Sequence, residues 1–335
     1  MKIHYISDHS ILEYDEVKLF VDMGHDVFSN GAYLDPKGHI TLPRPGIDKM
    51  KYNAKFADIA RNTPRTDIPE ELLDPFDLII VMHQPQVIVQ NWEKLKGRNV
   101  IWRTIGQSVT GIEKMLEKPR TEGLKIVRYS PKEENIKGYI GSDAMIRFYK
   151  DPEEYKGWTG NTKDVVSFAQ SLKGRRGFCH YDEIMGVIEK LDGKVYGPGN
   201  EDLGKFNGGS VPYEAQIEIM RQSRVMVYGG TWPASYTLGF IEALMMGLPV
   251  VAISKALAHY PQYEAFNFYE VDEILASIGG IVCDNTKDMV RHTKELLADY
   301  SHAKNISDRQ REVAIKLFGK ETIEQQWREF FDGIA

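Results

Sequence analysis

The chain has 335 residues, 42% of them hydrophobic and 27% charged, with a formal net charge of -6. That length suits two domains better than a single core, the composition is that of a globular protein, and the acidic balance speaks against nonspecific nucleic-acid binding. No run approaches the roughly 20 apolar residues of a membrane span, the opening MKIHYISDHS lacks a signal-peptide core, and Cys179 and Cys283 form neither a disulfide framework nor a metal spacing, so a reduced, cytoplasmic protein is expected.

Lys2 to Ile6 reads as a strand and Glu13 to Met23 as a helix stopped by Gly24, after which His25 to Ser29 begins a second extended segment. Phe76 to Met82 (FDLIIVM) is a continuous apolar run, as in a parallel strand covered on both faces. Asn99 to Trp102 and Lys125 to Tyr129 repeat it. Strands separated by helical stretches predict a parallel, doubly wound α/β sheet. Tyr149 to Asn161, rich in Asp, Pro, Gly and Trp, reads as a join, and then the pattern restarts. Asp164 to Phe168, Gly193 to Tyr196, Val225 to Tyr228 and Pro249 to Ile253 read as strands. Tyr181 to Leu191, Tyr213 to Gln222, Lys287 to Tyr300 and Glu321 to Phe331 read as helices, the last with Ile323, Trp327 and Phe330 at helical spacing, as a brace across the domain join.

The most informative stretch is Val225 to Ser254, VMVYGGTWPASYTLGFIEALMMGLPVVAIS. It reads as strand, glycine-bearing loop, helix, glycine stop and buried strand. Such helix starts hold phosphate, because free N–H groups and the helix dipole point at the ligand. The helix carries one carboxylate, Glu242, among Phe240, Ile241, Ala243 and Leu244. A buried acid needs a partner, and a nucleotide ribose with two hydroxyl donors would be one.

These residues resemble the GT-B glycosyltransferases, whose family four carries the motif E-G-F-G-L-x-x-x-E-A-M-x-x-G-x-P-V-V. Ala234 to Val251 matches it around Glu242 and Gly247-Leu248-Pro249-Val250-Val251. Gly24-His25-Asp26-Val27, Asp151-Pro152 and Tyr196-Gly197-Pro198-Gly199 are similar to further landmarks in the right order. The resemblance implies two Rossmann-like doubly wound domains facing across a cleft. Residues 1–150 would form the acceptor domain, 151–315 the nucleotide-sugar donor domain, and 316–335 a helix returning toward the first domain. It implies transfer of a sugar from a nucleoside-diphosphate sugar to an acceptor hydroxyl, with retention of configuration. No bound cofactor is expected beyond that co-substrate, and the lack of an Asp-x-Asp predicts independence from metal.

The resemblance assigns Glu242 to the ribose. It gives the diphosphate or sugar to Ser235, Tyr236, Thr237 and Leu238, and the leaving-group charge to Arg176, with Lys173 and Arg175 as further cations. Gly197 and Gly199 would admit a base or phosphate closely. In the first domain, Asp8, His83 and the Arg103-Thr104-Gln107 cluster stand at strand ends as catalytic or acceptor-binding candidates, with His9 beside Asp8. Tyr228, Trp232 and Tyr236 are candidate stacking rings. Two positions depart from the pattern. Ala234 stands where the family has its first Glu, which touches the donor sugar, and the Arg103 loop lacks a His. These departures keep open a noncatalytic nucleotide-sugar binder, and the shared fold keeps open a sugar-nucleotide epimerase. The acceptor stays open too: glycan, lipid, small molecule, protein or modified DNA base, with DNA disfavoured by the charge.

Overall fold

The computed structural model describes residues 1–32, 53–106, 109–260 and 268–334. The chain divides into two units, Met1–Tyr149 with Lys320–Ala335, and Lys150–Gly319.

The first unit is built on a six-stranded parallel sheet in the order β2-β1-β3-β4-β5-β6. Its strands are β1 (Lys2–Ile6), β2 (Asp26–Asn30), β3 (Leu78–Met82), β4 (Val100–Arg103), β5 (Lys125–Arg128) and β6 (Ala144–Met145). The helices are α1 (Ser10–Asp22), α2 (Ala54–Asn62), α3 (Pro85–Gln90), α4 (Trp92–Leu95), α5 (Thr110–Thr121) and, from the chain's end, α13 (Lys320–Asp332). On one face Ile6, Ile79, Val81, Trp102, Leu116 and Ile126 share a buried cluster. Elsewhere in the unit, Phe20 of α1 meets Trp327 of α13 edge-on at 5.0 Å. β3 is buried along its whole length, which explains why its sequence lacks polar alternation.

The second unit repeats the plan with the order β12-β11-β10-β7-β8-β9. Its strands are β7 (Val165–Phe168), β8 (Lys194–Tyr196), β9 (Asn207–Gly209), β10 (Val225–Tyr228), β11 (Val250–Ile253) and β12 (Ile281–Cys283). Its helices are α6 (Arg176–Cys179), α7 (Tyr181–Leu191), α8 (Tyr213–Gln222), α9 (Leu238–Met246), α10 (Val271–Ala276), α11 (Thr286–Ala298) and α12 (Tyr300–Phe318). All but the first residues of α9 are buried, and each fully buried Leu, Ile, Phe or Met contributes roughly 1.5–3 kcal/mol. Gly247 ends α9 at φ 82°, and a Cβ there would lie 2.7 Å from Ser307 Oγ; only glycine adopts this left-handed stop without strain.

Strand order fixes where a ligand belongs. In each sheet the order reverses once, between β1 and β3 in the first unit and between β7 and β10 in the second. Ligands of open parallel sheets bind at the carboxyl ends of the strands at this reversal.

Two helices differ from expectation. α1 begins at Ser10 rather than Glu13, because His9 caps it: Nδ1 accepts the Leu12 N–H at 3.3 Å. The late helix predicted over Lys287 to Tyr300 ends at Ala298, and Tyr300 opens the longer α12.

Candidate functional site

At the reversal of the second sheet, β10 leads into Gly229, the loop 229–237 and the start of α9. Thr237 caps α9 in extended geometry without a side-chain bond, and its own N–H donates to Tyr228 Oη at 3.0 Å. The N–H groups of Leu238 and Gly239, both half-exposed, meet no acceptor among the described residues. They are donors with the positive end of the helix dipole behind them. Ser235 and Tyr236 are fully buried, Tyr236 edge-on to Phe318 at 5.4 Å. Their side chains therefore face the core and no opening.

The loop after β7 supplies cations. Ser171, at φ 46°, bonds through its N–H to Pro198 O at 2.8 Å. Buried Asn200 ties the loop to the turn after β8: Oδ1 accepts from Leu172 N at 2.8 Å, and Nδ2 donates to Ala169 O at 2.7 Å and Gly197 O at 3.0 Å. Gly197 (φ 135°) packs so closely that a Cβ would lie 2.4 Å from Ala169 O, while one on Gly199 would lie 3.1 Å from Ser171 Cβ. The close approach these glycines permit is thus between the two loops. On this platform Arg176 forms a bidentate pair with Asp182 (Nη2 to Oδ1 2.6 Å, Nε to Oδ2 3.0 Å) and lies over the Tyr181 ring at 5.3 Å. Lys173 sits 3.7 Å from Asp202. Arg175, half-exposed, carries no ion pair among the described residues. Exposed pairs such as Arg176–Asp182 are worth about 0–1 kcal/mol, so they yield readily to a phosphate.

Glu242 is 4% exposed. Its Oε1 lies 2.8 Å from Lys150 Nζ and accepts from Tyr155 Oη at 3.1 Å, and its Oε2 accepts from Gln216 Nε2 at 3.2 Å. An acid in these apolar surroundings needs a partner, and a ribose is the one the sequence suggests. The chain supplies partners of its own, from the segment that opens the second unit and from α8.

Ala234 lines a small pocket with His180, Gly229, Thr231, Trp232 and Tyr269. His180, missed in the sequence, is buried at φ 52° and stacks on Tyr260 with centroids 4.4 Å apart. Burial pushes its imidazole down to about 4, so it stands neutral at pH 7.

In the first unit, Asp8, His9, His83 and Gln84 gather at the reversal between β1 and β3. Gln84 Nε2 donates to Asp8 Oδ2 at 3.0 Å, and its Oε1 accepts from Arg65 at 2.9 Å; Arg65 also donates to Asn30 O at 2.9 Å. Gln84 follows His83 in the His83-Gln84-Pro85 run after the apolar strand, whereas Arg65 carried no sequence signal. His83 adopts φ 66° and is spanned by a Gln84 N–H to Met82 O bond of 2.8 Å, a γ-turn that strains an L residue. Since His9 Nδ1 serves as the helix cap, the ring proton belongs on Nε2. His9 therefore offers a donor, and Asp8 is exposed as an acceptor.

Arg103 is a correction. It is fully buried, donates to Glu16 Oε1 at 2.7 Å and to the carbonyls of Ile146 (2.6 Å) and Arg147 (3.3 Å), and lies over the Phe148 ring at 4.9 Å. Its side chain joins layers of the unit and faces no opening. Thr104 is also buried, bonded to Glu133 at 2.8 Å. Gln107 lies outside the described residues.

No protein-family model matches the chain, and no curated protein matches it in sequence. Solved structures match its fold. Sucrose-phosphate synthase from Thermosynechococcus elongatus aligns with a TM-score of 0.68 at 13% identity, covering 100% of this chain and 99% of that one. HepE from Anabaena, in complex with UDP-glucose, aligns at 0.67 and 11% identity over 99% of this chain and 100% of that one. A glycosyltransferase from Rickettsia africae aligns at 0.67 and 11% identity over 99% and 98%. At these identities the likeness establishes architecture: two Rossmann-like parallel sheets in the α/β fold of the GT-B glycosyltransferases.

Proposed function

We propose that the chain is a nucleotide-sugar-dependent glycosyltransferase whose second unit holds the donor. One observation carries this reading. The sheet reversal between β7 and β10 gathers the open N–H groups of α9, the cationic loop 173–176 and the Glu242 carboxylate in one unit. A nucleoside diphosphate needs that set: donors and fixed cations for the phosphates, and a carboxylate for the ribose hydroxyls. Structures of similar fold include HepE with UDP and with UDP-glucose, which supports a nucleoside-diphosphate sugar as the donor.

In the proposed reaction an acceptor hydroxyl attacks the anomeric carbon as the bond from that carbon to the diphosphate oxygen breaks. The hydroxyl proton leaves with the diphosphate, whose charge Arg175 and Arg176 stabilise; attack from the leaving-group face retains configuration. Asp8, the His9 Nε2–H and His83 would meet the acceptor. The absence of an Asp-x-Asp in the sequence motivates metal independence, which activity in EDTA would test. Calorimetry against nucleoside diphosphates and their sugars tests the donor site. The reading predicts binding that Glu242→Ala weakens at least about tenfold; unchanged binding by that variant would refute the ribose assignment.

A second reading is a sugar-nucleotide epimerase of the same fold, which acts on the nucleotide sugar itself. NMR of the donor incubated alone distinguishes the two, since an epimerase converts it without an acceptor.

A further inference from the structure

We propose that Lys150 and Tyr155 are positioning residues that hold Glu242 ready for the ribose hydroxyls; the inference rests on the reading that Glu242 receives the ribose. Three residues from outside α9 converge on this carboxylate: Lys150 (2.8 Å) and Tyr155 (3.1 Å) on Oε1, and Gln216 (3.2 Å) on Oε2. Lys150 is 1% and Tyr155 0% exposed. Both charges of the pair have therefore been taken out of water.

Stability gives a weak reason for such a pair, because hydrophobic residues of similar volume usually do as well or better. What the pair provides is an ionised carboxylate in one orientation. The donors themselves are fixed. Lys150 N–H donates to Phe318 O at 2.9 Å, and its backbone bridges to Gly319. The Lys150 ammonium lies 5.6 Å from the centre of the Tyr155 ring, which stands edge-on to Tyr213 at 6.4 Å. Arg311 of α12 clamps the segment, donating to Pro152 O at 2.9 Å and to the carbonyls of Tyr155 and of Met245, the latter on α9. Residues 150–155, α12 and α9 are thus bound together beneath Glu242.

Two consequences follow for binding. A preoriented carboxylate forms charge-assisted bonds to vicinal hydroxyls without spending rotamer freedom at that moment. The ammonium also offsets the carboxylate charge on the same helix whose first turn must receive an anionic diphosphate, so Glu242 discriminates for ribose without repelling the phosphates. Gln216, from the adjoining helix, fixes the other carboxylate oxygen through a single bond of 3.2 Å.

The test compares UDP, ADP and GDP with their 2′,3′-dideoxy forms by calorimetry, in the full chain and in Glu242→Gln, Lys150→Met, Lys150→Arg and Tyr155→Phe. The wild type is expected to prefer the hydroxylated nucleotide by about tenfold or more. Glu242→Gln and Lys150→Met should reduce that preference to within about twofold, Tyr155→Phe should reduce it partly, and Lys150→Arg should restore part of it. A structural role would lower affinity for both nucleotide forms alike and leave their ratio unchanged. If Glu242→Gln removes the preference while Lys150→Met and Tyr155→Phe keep it, the positioning role is overturned. If the wild type binds none of the three, or Glu242→Gln keeps the preference, the ribose reading itself falls. Tyr155→Phe, which removes one oxygen and keeps the ring, decides the matter should Lys150→Met fail to fold.

Discussion

Arg103 on β4 and Glu16 on α1 form a fully buried ion pair, with Arg103 Nε 2.7 Å from Glu16 Oε1 and Tyr5 Oη donating to the other carboxylate oxygen at 2.6 Å. Removing one member leaves the other charged in the interior, which costs about 3–5 kcal/mol. Arg103→Leu should lower unfolding free energy by that amount while leaving nucleotide affinity of the folded protein unchanged. Arg103→Met combined with Glu16→Leu should recover most of the loss. Denaturant titration and calorimetry read the two effects separately.

The cations after β7 should differ in weight. Arg175 carries no ion pair among the described residues, whereas Arg176 is shared with Asp182 and Lys173 with Asp202. Arg175→Ala and Arg176→Ala should each weaken nucleoside-diphosphate binding about five- to thirtyfold, with Lys173→Ala milder. Each variant should also flatten the dependence of affinity on salt. Wild-type affinity in all three variants would remove this loop from the diphosphate site.

Gly197 tests whether the two loops act as one platform. Gly197→Ala places a methyl 2.4 Å from Ala169 O at φ 135°, a strain of about 1–3 kcal/mol. Both the melting temperature and diphosphate affinity should fall, because the Asn200 bonds that fix the cationic loop depend on this approach. Loss of stability with unchanged affinity would separate the turn from the site.

His4 gives a pH prediction. It is buried between Phe28 and Phe76, with ring centroids 5.3 and 5.0 Å away, and burial pushes its imidazole down from 6.5 to about 4. Between those values the unfolded chain binds a proton that the folded one refuses, so stability falls as pH drops from about 6.5 toward 4. The contribution is on the order of 3 kcal/mol. His4→Phe should lose correspondingly less stability over that window, measured by denaturation at pH 7 and pH 4.5. Parallel curves for the two proteins would contradict the assignment.

Much of the fold was legible because both sheets are parallel and covered. Runs such as Leu78–Met82 and Val250–Ile253 are continuous and apolar, and Gly247 punctuates α9 where its φ demands glycine. α12 was passed over for a physical reason: its buried face is Ala303, Ile306, Ser307, Gln310, Ala314 and Phe318, in which small and polar residues interrupt the apolar stripe. The site divides similarly. The Glu242 helix has a local signature, but Lys150, Tyr155 and Gln216 reach it only through tertiary packing. Arg103 misled because a polar residue at a strand end looks like a cleft residue, and whether it turns inward depends on Glu16 and the Ile146 carbonyl far along the chain. Arg65 reaches Gln84, and through it Asp8, from the loop after α2, a meeting that no spacing announces.

The central claim is that the second unit binds a nucleoside-diphosphate sugar and that the chain transfers its sugar. The most direct measurement incubates the protein with a panel of nucleotide sugars and candidate acceptors, following nucleoside-diphosphate release and the fate of the sugar by NMR. The account predicts stoichiometric diphosphate release and glycosylated product from at least one donor, both greatly reduced in Glu242→Gln. Conversion of a donor to its isomer without diphosphate release, or binding without turnover across the panel, would contradict it.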